Sequence, residues 1–155
     1  MSFRAQGLPL SPFEPLFALS YAELAERGMA RMVVDEKPSY PCRVSLEDAE
    51  LGERVILLPF EHQPALSPYR SSGAIFVRER AKRPFDAVDV VPPVLRGRML
   101  SIRAYDAQDC MVDADIVPGD AVEEAIERVF AHRNVTYIHV HNARRGCFAC
   151  RIDRA

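Results

Sequence analysis

Four side chains that commonly bind metals or act as nucleophiles lie within twelve residues near the end of the chain: His139, His141, Cys147 and Cys150. Alternate residues of a β-strand share a face, so the His-x-His of "VTYIHVHN" presents both imidazoles on one side of a sheet. Imidazole is a ligand for zinc, copper, iron and nickel. The pattern is therefore typical of a metal site, but equally of a polar sheet face that holds no ion.

The Cys147-x-x-Cys150 spacing is a weaker indication of a metal site. Residues three apart in a strand point to opposite faces, and "CFACRID" has no Gly or Pro that would force a turn between them. A structural zinc site would need two further ligands, and the chain has no second CxxC and no HxxxH. We therefore predict no metal site; if one exists, its ligands come from His62, His139 and His141, with Cys42 as a substitute.

A thiol catalyst is a second hypothesis. A hairpin around "NARRG" would bring His141 roughly opposite Cys147, since cross-strand Cβ atoms lie about 5 Å apart. With Asn142 adjacent, this pairing permits a dyad in which the imidazole accepts the thiol proton. The alternative is a small buried Cys beside a sheet His. Cys147 and His141 are thus the candidate catalytic residues, and whether the protein is an enzyme stays open.

Polar residues also recur in two loops and at the end of an apolar strand. Arginine forks and hydroxyl groups that converge from loops favour carboxylates or phosphates. We interpret the set as a pocket for a small polar or anionic ligand, with Arg43, His62 and His141 as its anchors. A non-catalytic interaction module or a homodimer is a third interpretation. The predicted ligand-binding residues are Cys42, Arg43, His62, Tyr69, Arg70, Ser71, Ser72, His139, His141 and Asn142.

Two helices and several strands must position these residues. In "LSYAELAERGM", Ser20 and Glu23 form a capping box and Gly28 ends the helix, which predicts a helix at about 20–28. In "PGDAVEEAIERVFAHR", Asp120 caps and apolar residues recur at helical spacing, which predicts a second helix at about 120–133.

The remaining segments are mostly strands. Alternation predicts a strand that runs into a turn at "ARMVVDEKP", and strands at "RVILLPFEH", where His62 ends an apolar face, and at "AIFVRER". Hairpins are predicted around "DAQD" and "ARRG", and "RPFDAVDVVPP" is predicted to be a surface loop. The whole chain, 1–155, is then a single α+β domain: a mainly antiparallel twisted sheet with two helices packed on it.

Composition excludes several function classes. The net charge is only −2 over 155 residues, so no nucleic-acid partner and no membrane surface is expected. Without an apolar segment typical of a signal peptide we expect a cytoplasmic protein whose four cysteines are free thiols or ligands. No G-x-G-x-x-G, Walker A or G-x-S-x-G motif is present, so no motif implies a cofactor, which stays unknown.

Four motifs carry a family resemblance. "PCRVSL", "FEHQP", "SPYRSSG" and "HVHNARRGC" together resemble the DUF1203 family of small uncharacterised bacterial proteins, over essentially the whole chain. The resemblance implies a cytoplasmic single-domain protein of about this length, with no assigned reaction, cofactor or catalytic residues to carry over. Some relatives have C-R-x-C where this chain has Ser45, and others have Ala at Cys150. Both differences argue against a four-cysteine zinc site.

Overall fold

A computed structural model describes all residues, 1–155, as nine strands and two α-helices. The strands are β1 (Phe3–Gln6), β2 (Ala30–Val33), β3 (Arg54–Gln63), β4 (Ser71–Arg78), β5 (Asp86–Val88), β6 (Met99–Tyr105), β7 (Met111–Pro118), β8 (Tyr137–Asn142) and β9 (Phe148–Arg154). The helices are α1 (Tyr21–Glu26) and α2 (Val122–Phe130). No helix is both long enough and apolar enough to span a membrane.

The strands form two antiparallel sheets. One has six strands in the order β5-β1-β9-β8-β6-β7, and the other has three in the order β2-β3-β4. The predicted α+β class with a mainly antiparallel sheet and two helices is therefore confirmed. The division into two sheets was not predicted, because strand patterns define the faces of each strand and not which strands share a sheet.

The two helix starts differ in how well the sequence predicted them. Ser20 and Glu23 form the expected capping box: the Glu23 amide donates to Ser20 Oγ at 3.1 Å. The predicted cap at Asp120 is wrong, because a 3₁₀ turn precedes α2 and Ala121 occupies the cap position without a side-chain bond. The turn is held where Gly119 approaches Leu95 so closely that a Cβ would lie 1.9 Å from its carbonyl oxygen. The α-helix α2 therefore begins at Val122, two residues later than predicted.

Two short strands were missed in the sequence. β1 lies between β5 and β9, and β5 forms the edge of the six-stranded sheet within the segment predicted to be a surface loop. Phe85 and Val91 of the same segment pack against the main core, and Val94 and Leu95, which follow it, are buried there. Strands of three and four residues are too short for an alternation pattern to stand out, so only the tertiary pairing defines them.

Each sheet has its own apolar core. The main core packs α2 against one face of the six-stranded sheet, and Ile126 and Val129 belong to the same buried cluster as the strand residues Ile102, Ile138 and Ile152. A second cluster joins α1 to the three-stranded sheet. The other face of the six-stranded sheet is thereby left free to meet the end of β3, and the histidines lie at that junction.

Candidate functional site

Strand β8 presents its histidines away from the main core. Ile138 and Val140 are fully buried in the core beneath α2. His139 and His141, which alternate with them along the strand, lie on the opposite face, as the alternation predicts. Both imidazoles are nevertheless almost inaccessible, with 3% and 0% of their surface exposed. The polar face of this strand is covered by other parts of the chain.

Irregular strand pairing affects the positions of His62 and His141. The register of β3 with β4 shifts between Phe60 and Gln63, around His62, and the register of β8 with β9 shifts at His141. β-bulges re-aim side chains and are frequent beside functional sites. At the end of β3, His62 consequently leaves the apolar face of its own sheet and packs against the six-stranded sheet.

The three imidazoles converge at one point. A ring nitrogen from each of His62, His139 and His141 lies within 4.8 Å of the other two. The His62 ring centroid is 4.9 Å from that of His141 and 6.4 Å from that of His139, and both pairs meet edge to face. We call these residues the three-histidine cluster.

One hydrogen bond sets the tautomer of His141. Its Nδ1 lies 2.9 Å from the Gly146 carbonyl oxygen, which can only accept, so Nδ1 carries the proton and Nε2 keeps a lone pair. That Nε2 is buried without a hydrogen-bonding partner, and so are the Nδ1 atoms of His62 and His139. Buried nitrogen atoms are nearly always paired in folded proteins, so three in one cluster need an explanation.

The cluster is neutral at physiological pH. Burial, which disfavours the imidazolium form, lowers the pKa of His139 to about 3 and that of His141 to about 4, and nearby positive charges add to both shifts. Burial also lowers the pKa of His62, with a contribution from Arg103. Neutral imidazole is the form that binds metal ions.

Arg43 lies beside the cluster but uses its donors on the backbone. Its Nε donates to the Phe148 carbonyl at 2.7 Å and its Nη1 to the Pro41 carbonyl, and only 2% of the residue is exposed. Burial lowers the pKa of this guanidinium. The backbone at Gly7 packs directly against the segment that contains Arg43, because a Cβ at Gly7 would lie 2.0 Å from the Val44 carbonyl oxygen. Arg43 thus holds the backbone of Phe148 in place.

Cys147 does not meet His141 as predicted. In the β8–β9 register His141 is opposite Phe148. The residue that contacts Cys147 is Asn142: its backbone N–H donates to the Cys147 carbonyl at 2.9 Å, and its side-chain Nδ2 lies 3.4 Å from Cys147 Sγ. The predicted register is wrong by one residue: the regular pairing of β8 with β9 would place Ala149 opposite His141, and the bulge shifts the partner to Phe148, next to Cys147. The structure contains no hydrogen bond between the Cys147 thiol and the His141 ring, whose Nδ1 is bonded to Gly146.

The other predicted ligand-binding residues converge only in part. Cys42 is fully buried in the core of the smaller sheet, and Ser71 is a β4 residue paired with Gln63. Arg70 pairs with Glu61 at the surface, with both side chains largely exposed, and Ser72 is exposed. Tyr69 reaches the site indirectly, since its ring meets that of Tyr105, which contacts His139. The segment from Tyr69 to Ser72, whose last two residues begin β4, does not form a polar pocket with the histidines.

Two residues of the site were missed in the sequence. The Phe148 ring lies parallel to the His62 ring, with their centroids 5.4 Å apart, and meets both other imidazoles edge to face. Arg103 is half-buried on β6, opposite His139 in the strand register. Alternation places Arg103 on one face with Tyr105, but only the pairing of β6 with β8 brings it to the histidines.

Two surface clefts lie elsewhere. One is lined by basic residues of the segment after β4, including Arg80, Lys82 and Arg83, and the other lies beside His132 and Asn134 after α2. Neither cleft includes a residue of the three-histidine cluster. The three imidazoles themselves are buried at the junction of the sheets.

The cluster lies within a segment shared with other proteins. Residues 39–154 match the family described as "Protein of unknown function (DUF1203)", and this segment contains all three histidines. The chain belongs to the DUF1203 family. No curated protein and no solved structure matches this DUF1203 chain. Its function must accordingly be argued from the site.

Proposed function

We propose that this DUF1203 protein binds a divalent transition-metal ion through His62, His139 and His141. The observation that carries the proposal is the convergence of one ring nitrogen from each histidine within 4.8 Å. Nitrogens bound to one tetrahedral zinc ion at 2.0–2.1 Å lie about 3.4 Å apart, so small side-chain movements would complete the site. The chain thus supplies the ligands from two strands of different sheets.

The unpaired nitrogens support a metal over a purely structural cluster. Each buried polar atom left without a partner costs about 1–3 kcal/mol, and His62, His139 and His141 each have one such nitrogen. A structural role would favour pairing them with hydroxyl or carboxylate groups, yet no acid is part of the cluster. A metal ion bound by the three rings would take up one lone pair from each imidazole at once.

The ligand set also indicates the kind of metal. Three neutral imidazoles suit zinc, copper, iron and nickel better than magnesium or calcium, which prefer oxygen ligands. The bond from His141 Nδ1 to the Gly146 carbonyl is the kind of support that orients metal-binding histidines. Three protein ligands leave a coordination position open on zinc, which is the arrangement of sites that polarise a substrate or activate water.

Metal titration of the tag-free protein tests this proposal. Protein stripped with chelator is titrated with Zn²⁺ and with Co²⁺, and bound metal is measured by elemental analysis. We expect one ion per chain. His141→Gln should weaken binding by more than the roughly 10–100-fold that follows loss of a ligand's hydrogen-bonding partner.

A matched control comes from the fourth histidine of the chain. His132 is exposed after α2 and lies outside the cluster, so His132→Gln should bind metal as the wild type does. If the wild type binds only a small fraction of one metal ion per chain, the metal site is refuted. Equal affinities of the His132→Gln and His141→Gln variants would refute the assignment of the ligands.

A further inference from the structure

We propose that the metal site takes a small oxyanion, a carboxylate or a phosphate, as its further ligand, and that Arg103 binds the same anion. This inference rests on the proposed metal site and names the class of ligand that completes it. It follows from the charge of the site and from the position of one arginine on β6.

The charge of the ligand set favours an anion. His62, His139 and His141 are neutral ligands, and no carboxylate belongs to the cluster, so a bound divalent ion would keep its full positive charge. A charge in a site of low dielectric interacts far more strongly with a counter-charge than the same charge in water. The negative charge that balances the metal ion therefore has to come from a ligand that the chain does not supply.

Arg103 lies where it can share that ligand. It is opposite His139 in the pairing of β6 with β8, and its neighbour on the same face, Ser101, is opposite His141. Residues directly opposite each other in an antiparallel pair share a face of the sheet, so the Arg103 side chain lies beside the His139 ring. A positive charge is therefore present on the β6 side of the cluster.

The guanidinium also lacks an acidic partner. Three other buried or partly buried arginines pair with carboxylates: Arg31 with Glu79, Arg78 with Glu53 and Arg98 with Asp48. Arg103 forms no salt bridge, and its side chain makes one long hydrogen bond, from Nε to Ser101 Oγ at 3.4 Å. Its remaining donors form a planar fork, which matches a carboxylate or a phosphate in geometry as well as in charge.

Arg151 provides the contrast on the other side of β8. It is opposite His139 in the pairing with β9, but it pairs with Asp153 and lies over the Tyr137 ring. Its charge is thereby paired within the protein. The two arginines flank the same histidine, and Arg103 is the one that lacks an acidic partner.

Anion titration of the cobalt-loaded protein tests this inference. Acetate and inorganic phosphate are added separately at constant ionic strength, and the visible absorption of the bound Co²⁺ reports a change of ligand. We expect a saturable spectral change with at least one of the two anions, and the anion that acts identifies the class. Arg103→Gln should raise the apparent Kd by about tenfold or more while keeping one Co²⁺ per chain.

Two further variants make the result specific. Arg103→Lys keeps the charge but loses the fork, so its Kd should lie between those of the wild type and Arg103→Gln. Arg151→Gln should stay within about threefold of the wild type, since that charge is already paired. Circular dichroism and the cobalt stoichiometry verify that each variant is folded.

The outcomes separate this inference from the proposed metal site. If Co²⁺ binds the wild type but neither anion changes its spectrum, the oxyanion site is refuted and the metal site stands. An unchanged Kd in Arg103→Gln would refute the role of Arg103. If Co²⁺ does not bind at all, the metal site fails and the oxyanion site fails with it.

Discussion

The imidazole of His62 lies parallel to the ring of Phe148, at an interplanar angle of 4° and a centroid distance of 5.4 Å. The two residues come from different sheets, β3 and β9, so this contact joins the two halves of the fold at the three-histidine cluster. Arg43 donates a hydrogen bond to the Phe148 carbonyl. Phe148 is therefore the surface against which His62 is oriented.

Replacing Phe148 should affect both stability and metal binding. Phe148→Leu keeps an apolar residue but removes the aromatic contacts, which are worth about 0.5–1.5 kcal/mol beyond the buried area. Because His62 loses its support, the affinity for Co²⁺ should fall roughly tenfold. Urea denaturation of the metal-free protein and cobalt titration measure the two effects.

The control for Phe148 is an aromatic pair away from the site. Phe76 packs against Tyr40 with a centroid distance of 5.1 Å, in a separate cluster of the smaller sheet. Phe76→Leu should lower the free energy of unfolding without changing the affinity for cobalt. A similar loss of affinity in both variants would mean that Phe148 has no special role in orienting His62.

The stability of the metal-free protein should decrease as the pH falls below about 6.5. His139 and His141 have pKa values of about 3 and about 4 in the folded state, against 6.5 as the ordinary value. Between these values the unfolded chain binds protons that the folded chain does not, so acid favours unfolding; above pH 6.5 this contribution is fully present and constant. Each such proton lowers the free energy of unfolding by about 1.4 kcal/mol per pH unit.

Single histidine variants isolate this effect from that of the acidic residues. His139→Gln should make the dependence between pH 6.5 and pH 4 shallower by about one proton, whereas His132→Gln at the exposed position should leave it close to that of the wild type. Urea denaturation at several pH values gives the slopes. Identical slopes for the two variants would contradict a neutral, buried His139.

Two ion pairs should differ strongly in their effect on stability. Glu53 is fully buried and accepts two hydrogen bonds from Arg78, each at 2.9 Å, whereas Glu61 and Arg70 form a pair at the surface. Glu53→Gln removes the buried carboxylate of this pair, leaves Arg78 with only the exposed Glu47 as a counter-charge, and should cost about 3 kcal/mol. Glu61→Gln should cost about 0–1 kcal/mol. Denaturation midpoints and slopes at pH 7 measure both, and comparable losses would contradict the burial of Glu53.

Thiol labelling should divide the four cysteines into two pairs. Cys42 and Cys150 are 0% and 1% exposed, and burial raises the pKa of Cys150 to about 12, so neither should react in the native protein. Cys110 and Cys147 are partly exposed and should react with a maleimide before unfolding. Mass spectrometry of peptides identifies the labelled sites, and denaturant should make all four reactive. Labelling of Cys150 as fast as that of Cys110 would contradict the packing of β9.

Cys147 and Cys150 show which features of the β8–β9 hairpin local strand geometry could predict from the sequence and which it could not. Strand geometry argued that these two cysteines do not share one metal, and the structure places Cys150 in the core and Cys147 beside Asn142. The expected contact of His141 with Cys147 was wrong by one residue. A bulge adds a residue to one strand without a signal in the alternation, so exact pairing could not be predicted.

By itself the sequence determined the local elements: the capping box of α1, the hairpin from β8 to β9, and the face shared by His139 and His141. These follow from short-range periodicity and turn chemistry. Only the tertiary structure decided that His62 completes the cluster and that Arg103 lies beside it, because both depend on how two separate sheets pack and pair. The loops containing Arg70 and Ser72 looked equally suitable in sequence, and that packing leaves them at the surface.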